Sequence, residues 1–422
     1  MDTSVMITLG FLVFAIIMFA WEKIPLSVTA MIVAVGLHLS GVLSAKAAFA
    51  GFVDANVLLF MGMFIIGAAF FETGVAVEVG NVVHRFAKTE TTLLIAVMMI
   101  TGIMSGFLSN TGTAAVLIPV IIGICKRSGF KQTKLLMPLV FAAAMGGNLS
   151  LIGAPGNMIA QAGLQQAGLG SFNFFDYGLV GLPMLLIGTV FYAAIGKRFL
   201  PDAPSHEADA SYNDNDDYGH VPSWKKWTAA LVLILTIVAM IFEKQLGVKL
   251  YVSAWIGALV LVATGVISET AAVKSIDMKT ILLFAGSMAL GDAMVSTGTG
   301  AVIADLIVNS LGASPSPLVV LVVLFILGVF MTNFMSHTAT CALLVPIGLS
   351  LANQLGFDPK AVFVAIVIAS SLAYATPIGM PANTMVYNIA GYSFMDYVKA
   401  GLPLIIVSSI VALVLLPILF PF

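Results

Sequence analysis

Charge is what this chain has least of. Its 422 residues include only 18 Lys and Arg and 20 Asp and Glu, so 9% are charged while 60% are hydrophobic. Soluble domains carry about 25% charged residues and cannot cover a wet surface with so few. A soluble enzyme and a nucleic-acid binder are thereby excluded, and the net charge of −2 names no polyanionic partner. Cysteine is nearly absent: Cys125 and Cys341 both lie in apolar runs, where small buried residues are a better reading than a disulfide or metal site. No basic residue precedes Lys23, so the first apolar run lacks the basic n-region of a cleavable signal and is expected to stay as a helix. What is plentiful is apolar sequence. About 20 such residues span a bilayer as a helix, which leaves room for roughly ten to twelve crossings.

Ten runs are long enough to cross: 4–21, 25–43, 54–72, 135–163, 178–196, 228–243, 250–268, 279–297, 361–390 and 402–420. Two others, 92–125 and 317–351, are interrupted near their middles by small polar residues. Each is too long for one crossing and too short for two. A re-entrant helical hairpin fits, because broken backbone at membrane depth survives only where protein or a wet cavity satisfies it. Shorter apolar stretches at 75–87 and 300–312 carry charge on one face and read as amphipathic arms leading to the hairpins. With these spans, one face holds Lys23, Arg85, Lys88, Lys126, Arg127, Lys131, Lys134, Lys197, Arg198, Lys225, Lys226, Lys274, Lys279 and Lys399. The other holds Lys46, Lys244, Lys249 and Lys360. The positive-inside rule then makes the first face cytoplasmic, with both termini outside.

Residues 199–226 form an acidic cytoplasmic linker with Asp202, Glu207, Asp209, Asp214, Asp216 and Asp217, better read as a solvated tether than as a metal site. The linker separates two repeats, 1–198 and 227–422. Trp21-Glu22-Lys23 recurs as Phe242-Glu243-Lys244, and Phe60, Gly62, Gly67, Thr73 and Gly74 recur as Phe284, Gly286, Gly291, Thr297 and Gly298. Ser109-Asn110-Thr111 matches Ser336-His337-Thr338, Gly153-Ala154-Pro155-Gly156-Asn157 matches Gly379-Met380-Pro381-Ala382-Asn383, and Asp176-Tyr177 matches Asp396-Tyr397. Five crossings and one hairpin per half make the repeats inverted. Inverted repeats with interruptions at matching places point to a secondary transporter with a midplane site.

At each hairpin break, Ser109, Asn110 and Thr111, or Ser336, His337 and Thr338, are suited to cap the following half-helix. They are equally suited to line a site where that half-helix presents its N–H groups and dipole to an anion. Pro155 and Pro381 suit the first turn of resumed half-helices. Lys and Arg are missing from 91–124, 135–196, 310–356 and 361–397, so an anion held there has no arginine clamp. Its charge would be balanced by helix dipoles, co-bound cations or a protonated His337, whose ordinary pKa of about 6.5 lies in the physiological range. Asp292 is the single carboxylate deep in an assigned crossing. It reads as a lone interfacial acid rather than a proton relay, since its repeat mate is Ala68. A Ser336–His337 catalytic pair is dismissed: adjacent helical residues point about 100° apart and no orienting acid is near.

At these residues the chain resembles the divalent anion/sodium symporter family, which includes the INDY di- and tricarboxylate carriers. The resemblance covers nearly the whole chain. It implies an all-α polytopic fold and a homodimer with an elevator mechanism. Scaffold helices would lie in 1–90 and 227–314, and hairpin and transport helices in 91–198 and 315–422. It also implies that Ser109, Asn110, Thr111, Pro155, Ser336, His337, Thr338 and Pro381 bind substrate. Ser105, Ser109, Asn110 and Gly153 would form one sodium site, and Thr332, Ser336, His337 and Gly379 a second. His337 replaces the family's asparagine, and Ala154 and Met380 stand where threonine is frequent. These departures weaken the second sodium site and fit an exchanger. The expectation is a dicarboxylate carrier for malate, succinate, fumarate or 2-oxoglutarate, needing no cofactor, with sodium as the candidate coupling ion. A sodium-coupled dicarboxylate or sulfate symporter and a sodium/proton or arsenite-type carrier stay open as alternatives.

Overall fold

The computed structural model describes residues 2–21, 23–84, 89–205, 221–311 and 315–422. Glu22, Arg85, Lys88 and the linker residues 206–220, including Glu207, Asp209, Asp214, Asp216 and Asp217, lie outside them. Among the described residues all regular structure is helical. An apolar solvent dictates this outcome, since a helix satisfies every backbone N–H and C=O within its own segment. Seven of the helices are both long and apolar enough to cross a bilayer unbroken, from Thr3–Trp21 to Phe394–Leu419.

The longer helices of the two halves repeat in the same order. Thr3–Trp21, Leu26–Leu39 and Ala55–Glu72 are followed by an arm, Val75–His84, then by a hairpin of Glu90–Ser105 and Asn110–Ser128. A broken span, Leu136–Gly146 and Pro155–Gln166, leads to Gly178–Ala194. The second half runs Ser223–Ile241, Leu250–Ala263, Met278–Ser296 and the arm Thr299–Leu311. Its hairpin is Pro317–Thr332 and His337–Leu355, its broken span Lys360–Ser370 and Pro381–Ala390, and its last helix Phe394–Leu419. The hairpin legs have 16 and 19 residues in both halves. At 1.5 Å per residue they are about 24 and 28 Å long, enough to pass the midplane of a 30 Å hydrocarbon core.

Three details go beyond the sequence expectations. The broken spans leave the helix well before the Gly-x-Pro motifs, so residues 147–154 and 371–380 are non-helical. Short helices Ala45–Ala48 and Glu269–Ser275 occupy matching connections. The helix after the linker begins at Ser223.

The halves interlock through matched glycines. Leu26–Leu39 packs along Met278–Ser296, and Ala55–Glu72 along Leu250–Ala263. At the first crossing a Cβ on Gly286 would lie 2.4 Å from the Ala30 carbonyl oxygen, and at the second one on Gly62 would lie 2.7 Å from the Ala254 Cβ. Gly178–Ala194 packs on Phe394–Leu419, and the broken spans and hairpins fill the space beside that pair. Buried rings there join the repeats: Phe141 lies 5.0 Å from Tyr374 and 6.2 Å from Tyr397.

Polar contacts between loops show which segments share a face. Lys134 Nζ donates to the carbonyls of Lys197 and Leu200 and lies 3.2 Å from Asp202. Hydrogen bonds from Lys131 and Lys134 hold the Asp202 carboxyl below the usual carboxylate range. Lys197 reaches Thr91, Lys226 reaches Glu78, and Ser205 bonds Gly391 and Asp396. Opposite them, Lys244 donates to Asn173 and Asn56 to Gln165. Each of these pairs joins segments that the span count assigns to one side.

Candidate functional site

The first hairpin turns at residues 106–109. Ser109 takes the extended N-cap conformation and its Oγ accepts from Gly112 N at 2.9 Å, so its capping role is real. Helix geometry leaves the N–H groups of Asn110 and Thr111 without intrahelical acceptors. Ser105 Oγ lies 2.7 Å from both Asn110 Oδ1 and the Ala143 carbonyl oxygen. Asn110 also rests on Gly147, and a Cβ on Gly153 would lie 2.5 Å from the Gly147 carbonyl oxygen and 3.1 Å from that of Gly106. The side-chain oxygens of Ser105 and half-buried Asn110 lie with the Ala143 carbonyl, and the carbonyls of Gly106 and Gly147, which accept from Ser150 and Asn157, flank Gly153 nearby. Such hard, uncharged donors suit a hard cation.

The second hairpin copies this scheme with one change. Ser336 caps Ala339 N at 3.2 Å, and Thr332 donates to the Ser370 carbonyl as Ser105 does to that of Ala143. Gly379 stands against the Thr332 carbonyl, 2.7 Å from where its Cβ would be. His337 occupies the Asn110 position, but its Nδ1 lies 2.9 Å from Ser370 Oγ, so it faces the broken span rather than Thr332. The Ser370 hydroxyl also donates to the Val367 carbonyl at 2.8 Å. With its hydrogen used there, Ser370 Oγ accepts from Nδ1–H, which leaves Nε2 as the open position. Nε2 has no hydrogen-bond partner among the described residues and faces Gly156, where a Cβ would come within 2.3 Å of it. The imidazole adds a nitrogen where the first site has an amide oxygen, leaving fewer hard donors for a metal ion.

All four interruptions meet. Ser150 bonds the Gly106 carbonyl, tying the first broken span to the first hairpin. Asn333 bonds the Leu372 carbonyl and receives Ala375 N, doing the same in the second half. Asn148 Nδ2 reaches Ser371 Oγ at 2.5 Å and joins the two broken spans directly. Pro155 and Pro381 each begin a resumed half-helix. Four helix N-termini therefore gather, with no Lys or Arg in 91–124, 135–196, 310–356 or 361–397 around them. The arrangement offers positive dipole ends, free N–H groups and hydroxyls to an anion. Thr111 and Thr338 are half-buried, while Ser109 and Pro381 are exposed.

The residues that hold the broken loops open are not among the candidates that the sequence singles out. Asn157 Nδ2 donates to the carbonyls of Gly147 and Ser150, both at 2.8 Å, and Tyr177 OH donates to the Asn157 carbonyl. Asn383 does the same for Ala373 and Thr376, with Tyr397 OH on its carbonyl. The signal was present: these four residues appear among the repeat matches as Gly-x-Pro-x-Asn and Asp-Tyr. Cys341, expected as an inert core residue, is buried with its Sγ 3.0 Å from Ser370 Oγ.

Comparison with known proteins adds a second line. A family model described as citrate transporter matches residues 16–344 and 237–422. The chain is 22% identical to an uncharacterised transporter, YfbS, of Escherichia coli, the alignment covering 100% of both chains. It is 23% identical to the sodium-dependent dicarboxylate transporter SdcS of Staphylococcus saprophyticus, over 95% of this chain and 83% of that one. It is 26% identical to the sodium-dependent high-affinity dicarboxylate transporter 3 of Caenorhabditis elegans, over 90% and 77%. Among solved structures, the YdaH transporter of Alcanivorax borkumensis shares the fold with a TM-score of 0.65 at 17% identity, covering 97% of each chain.

Proposed function

The chain belongs to the citrate transporter family, and from that premise we propose that it is a secondary carrier for four- and five-carbon dicarboxylates. The observation that carries this reading is the meeting of four half-helix N-termini without a basic side chain. A dianion has two ends to satisfy, and the two hairpin tips offer one cradle each: Ser109, Asn110 and Thr111 at the first, Ser336, His337 and Thr338 at the second. Pro155 and Pro381 open the half-helices on either side. Hairpins and broken spans form the transport part, which slides as an elevator against a scaffold of Leu26–Leu39, Ala55–Glu72, Leu250–Ala263 and Met278–Ser296, within a homodimer. The first repeat lies in 1–198 and the second in 227–422, joined by a cytoplasmic linker, with both termini outside.

His337 decides coupling. Its Nδ1 is engaged by Ser370, so a substrate carboxylate reaching Nε2 gains a hydrogen bond only from the protonated ring. A proton that stays on His337 through the cycle balances one substrate carboxylate in place of a second sodium ion, which favours exchange. A second reading, sodium symport, is favoured by the oxygens around Ser105 and Asn110 and by the printed names of two relatives. Counterflow of labelled succinate into proteoliposomes separates them, with malate, fumarate, 2-oxoglutarate, citrate and sulfate as competitors and sodium replaced by choline. An exchanger shows counterflow of similar rate in both salts, and a symporter loses it in choline. Lack of counterflow with every anion would overturn the carrier reading.

A further inference from the structure

We propose that a cavity beside the transport site binds an amphipathic organic monocation, with Asp292 as its counter-ion. The cavity has a volume of about 530 Å³ and lies between Met278–Ser296 on one side and Pro155–Gln166 and His337–Leu355 on the other. Its size falls in the range of drug-like ligand sites, about 300–1,000 Å³. Leu43, Ile159, Phe284, Met288, Val345 and Leu349 supply hydrocarbon walls. Asp292 is the one charged residue among the lining side chains, and none of the hairpin-tip residues is part of the wall.

Two observations point to the ligand's charge. The Asp292 carboxylate has no hydrogen bond and no ion pair among the described residues. Asp292 is half-buried, one turn before the end of Met278–Ser296, and a partly desolvated carboxylate gains from a partner that the protein does not offer here. Its repeat mate is Ala68, so the charge is not part of the duplicated transport machinery. A bare metal ion is a poor partner, since hard cations need about six oxygens. The Ser287 and Ser296 hydroxyls already donate to carbonyls of their own helix, and most of the remaining surface is apolar. An apolar body carrying one delocalised positive charge matches both features. The walls come from helices of both packing groups, so an occupant would sit as a wedge between them.

The test is equilibrium binding of labelled tetraphenylphosphonium to the full-length protein in detergent, beside tetraphenylborate, an anion of the same shape. Wild type should bind the cation saturably and the anion at least tenfold more weakly. Asp292→Asn, which keeps the shape, should lower cation affinity at least tenfold and abolish the preference. Val295 is 61% exposed at the cavity mouth, and Val295→Arg places a competing cation one turn from Asp292. That variant should also lose binding. Unfolding temperature without ligand confirms that each variant keeps its fold. Absence of saturable cation binding, equal binding of the two ions, or unchanged affinity in Asp292→Asn would each overturn the proposal. Because binding is read on purified protein, the outcome is independent of which anion is transported.

Discussion

A carboxamide carries two N–H donors on one nitrogen and can hold two carbonyls apart at a fixed distance. Asn157 and Asn383 use this property at matched points, and without them the non-helical stretches 147–154 and 371–380 would strand carbonyl groups in the protein interior. Stranding a buried polar group costs about 1–3 kcal/mol, more than a typical hydrogen bond contributes. Asn157→Asp keeps the size of the side chain but replaces both donors with acceptors facing two carbonyls. We therefore expect it to lower stability by more than about 2 kcal/mol, read as a fall in unfolding temperature of the purified protein. Asn383→Asp should behave alike. Retention of wild-type stability by both buried variants would mean that the open loops are held by other contacts. The same geometry separates His337 from Asn110: one ring nitrogen is spent on Ser370, so a single atom, Nε2, remains for a ligand.

Helix crossings depend on what two backbones can tolerate. Gly286 faces the Ala30 carbonyl so closely that even a methyl group demands a backbone shift, and Gly62 faces Ala254 in the same way. Overpacking of this kind costs about 1–3 kcal/mol. Gly286→Ala should therefore destabilise by that amount, whereas Gly10→Ala, with open space around it, should be neutral or slightly stabilising through the better helix propensity of alanine. Thermal unfolding of the two variants side by side checks this. An equal effect at both sites would remove the case for close crossings. These elements show how much the sequence disclosed. Hairpins, arms, broken spans and the twofold repeat were legible because small polar residues interrupt long apolar runs, and because Gly62 and Gly286 recur at one offset. The extent of the broken loops was not legible. What keeps residues 147–154 open is an Asn side chain up to ten residues downstream. Nor was the cavity beside Asp292, whose walls come from three long helices and the connection at 43–47, all distant in sequence.

At the scale of the whole molecule, side assignment ties the fold to its function. Five crossings and one hairpin per half require that loops alternate faces, and the contacts between loops obey that alternation. Lys134, Lys197, Asp202 and Thr91 cluster, as do Ser205, Gly391 and Asp396, while Lys244 meets Asn173 away from them. Fourteen of the eighteen basic residues fall on the first of these faces by sequence, which the positive-inside rule makes cytoplasmic. With Cys125 and Cys341 replaced by alanine, single cysteines at Asn173 and Ser205 report the two faces. A membrane-impermeant maleimide applied to intact cells should label position 173 and leave 205 untouched, and inside-out vesicles should reverse the pattern. Labelling of both positions from one side would break the crossing count and with it the inverted relation of the repeats. Labelling of 205 alone from outside would keep the repeats but turn the protein over, placing the Asp292 cavity mouth toward the cytoplasm. In the carrier proposed above, the inversion would let one site face both compartments in turn, since each half then supplies the same hairpin and broken span from opposite sides.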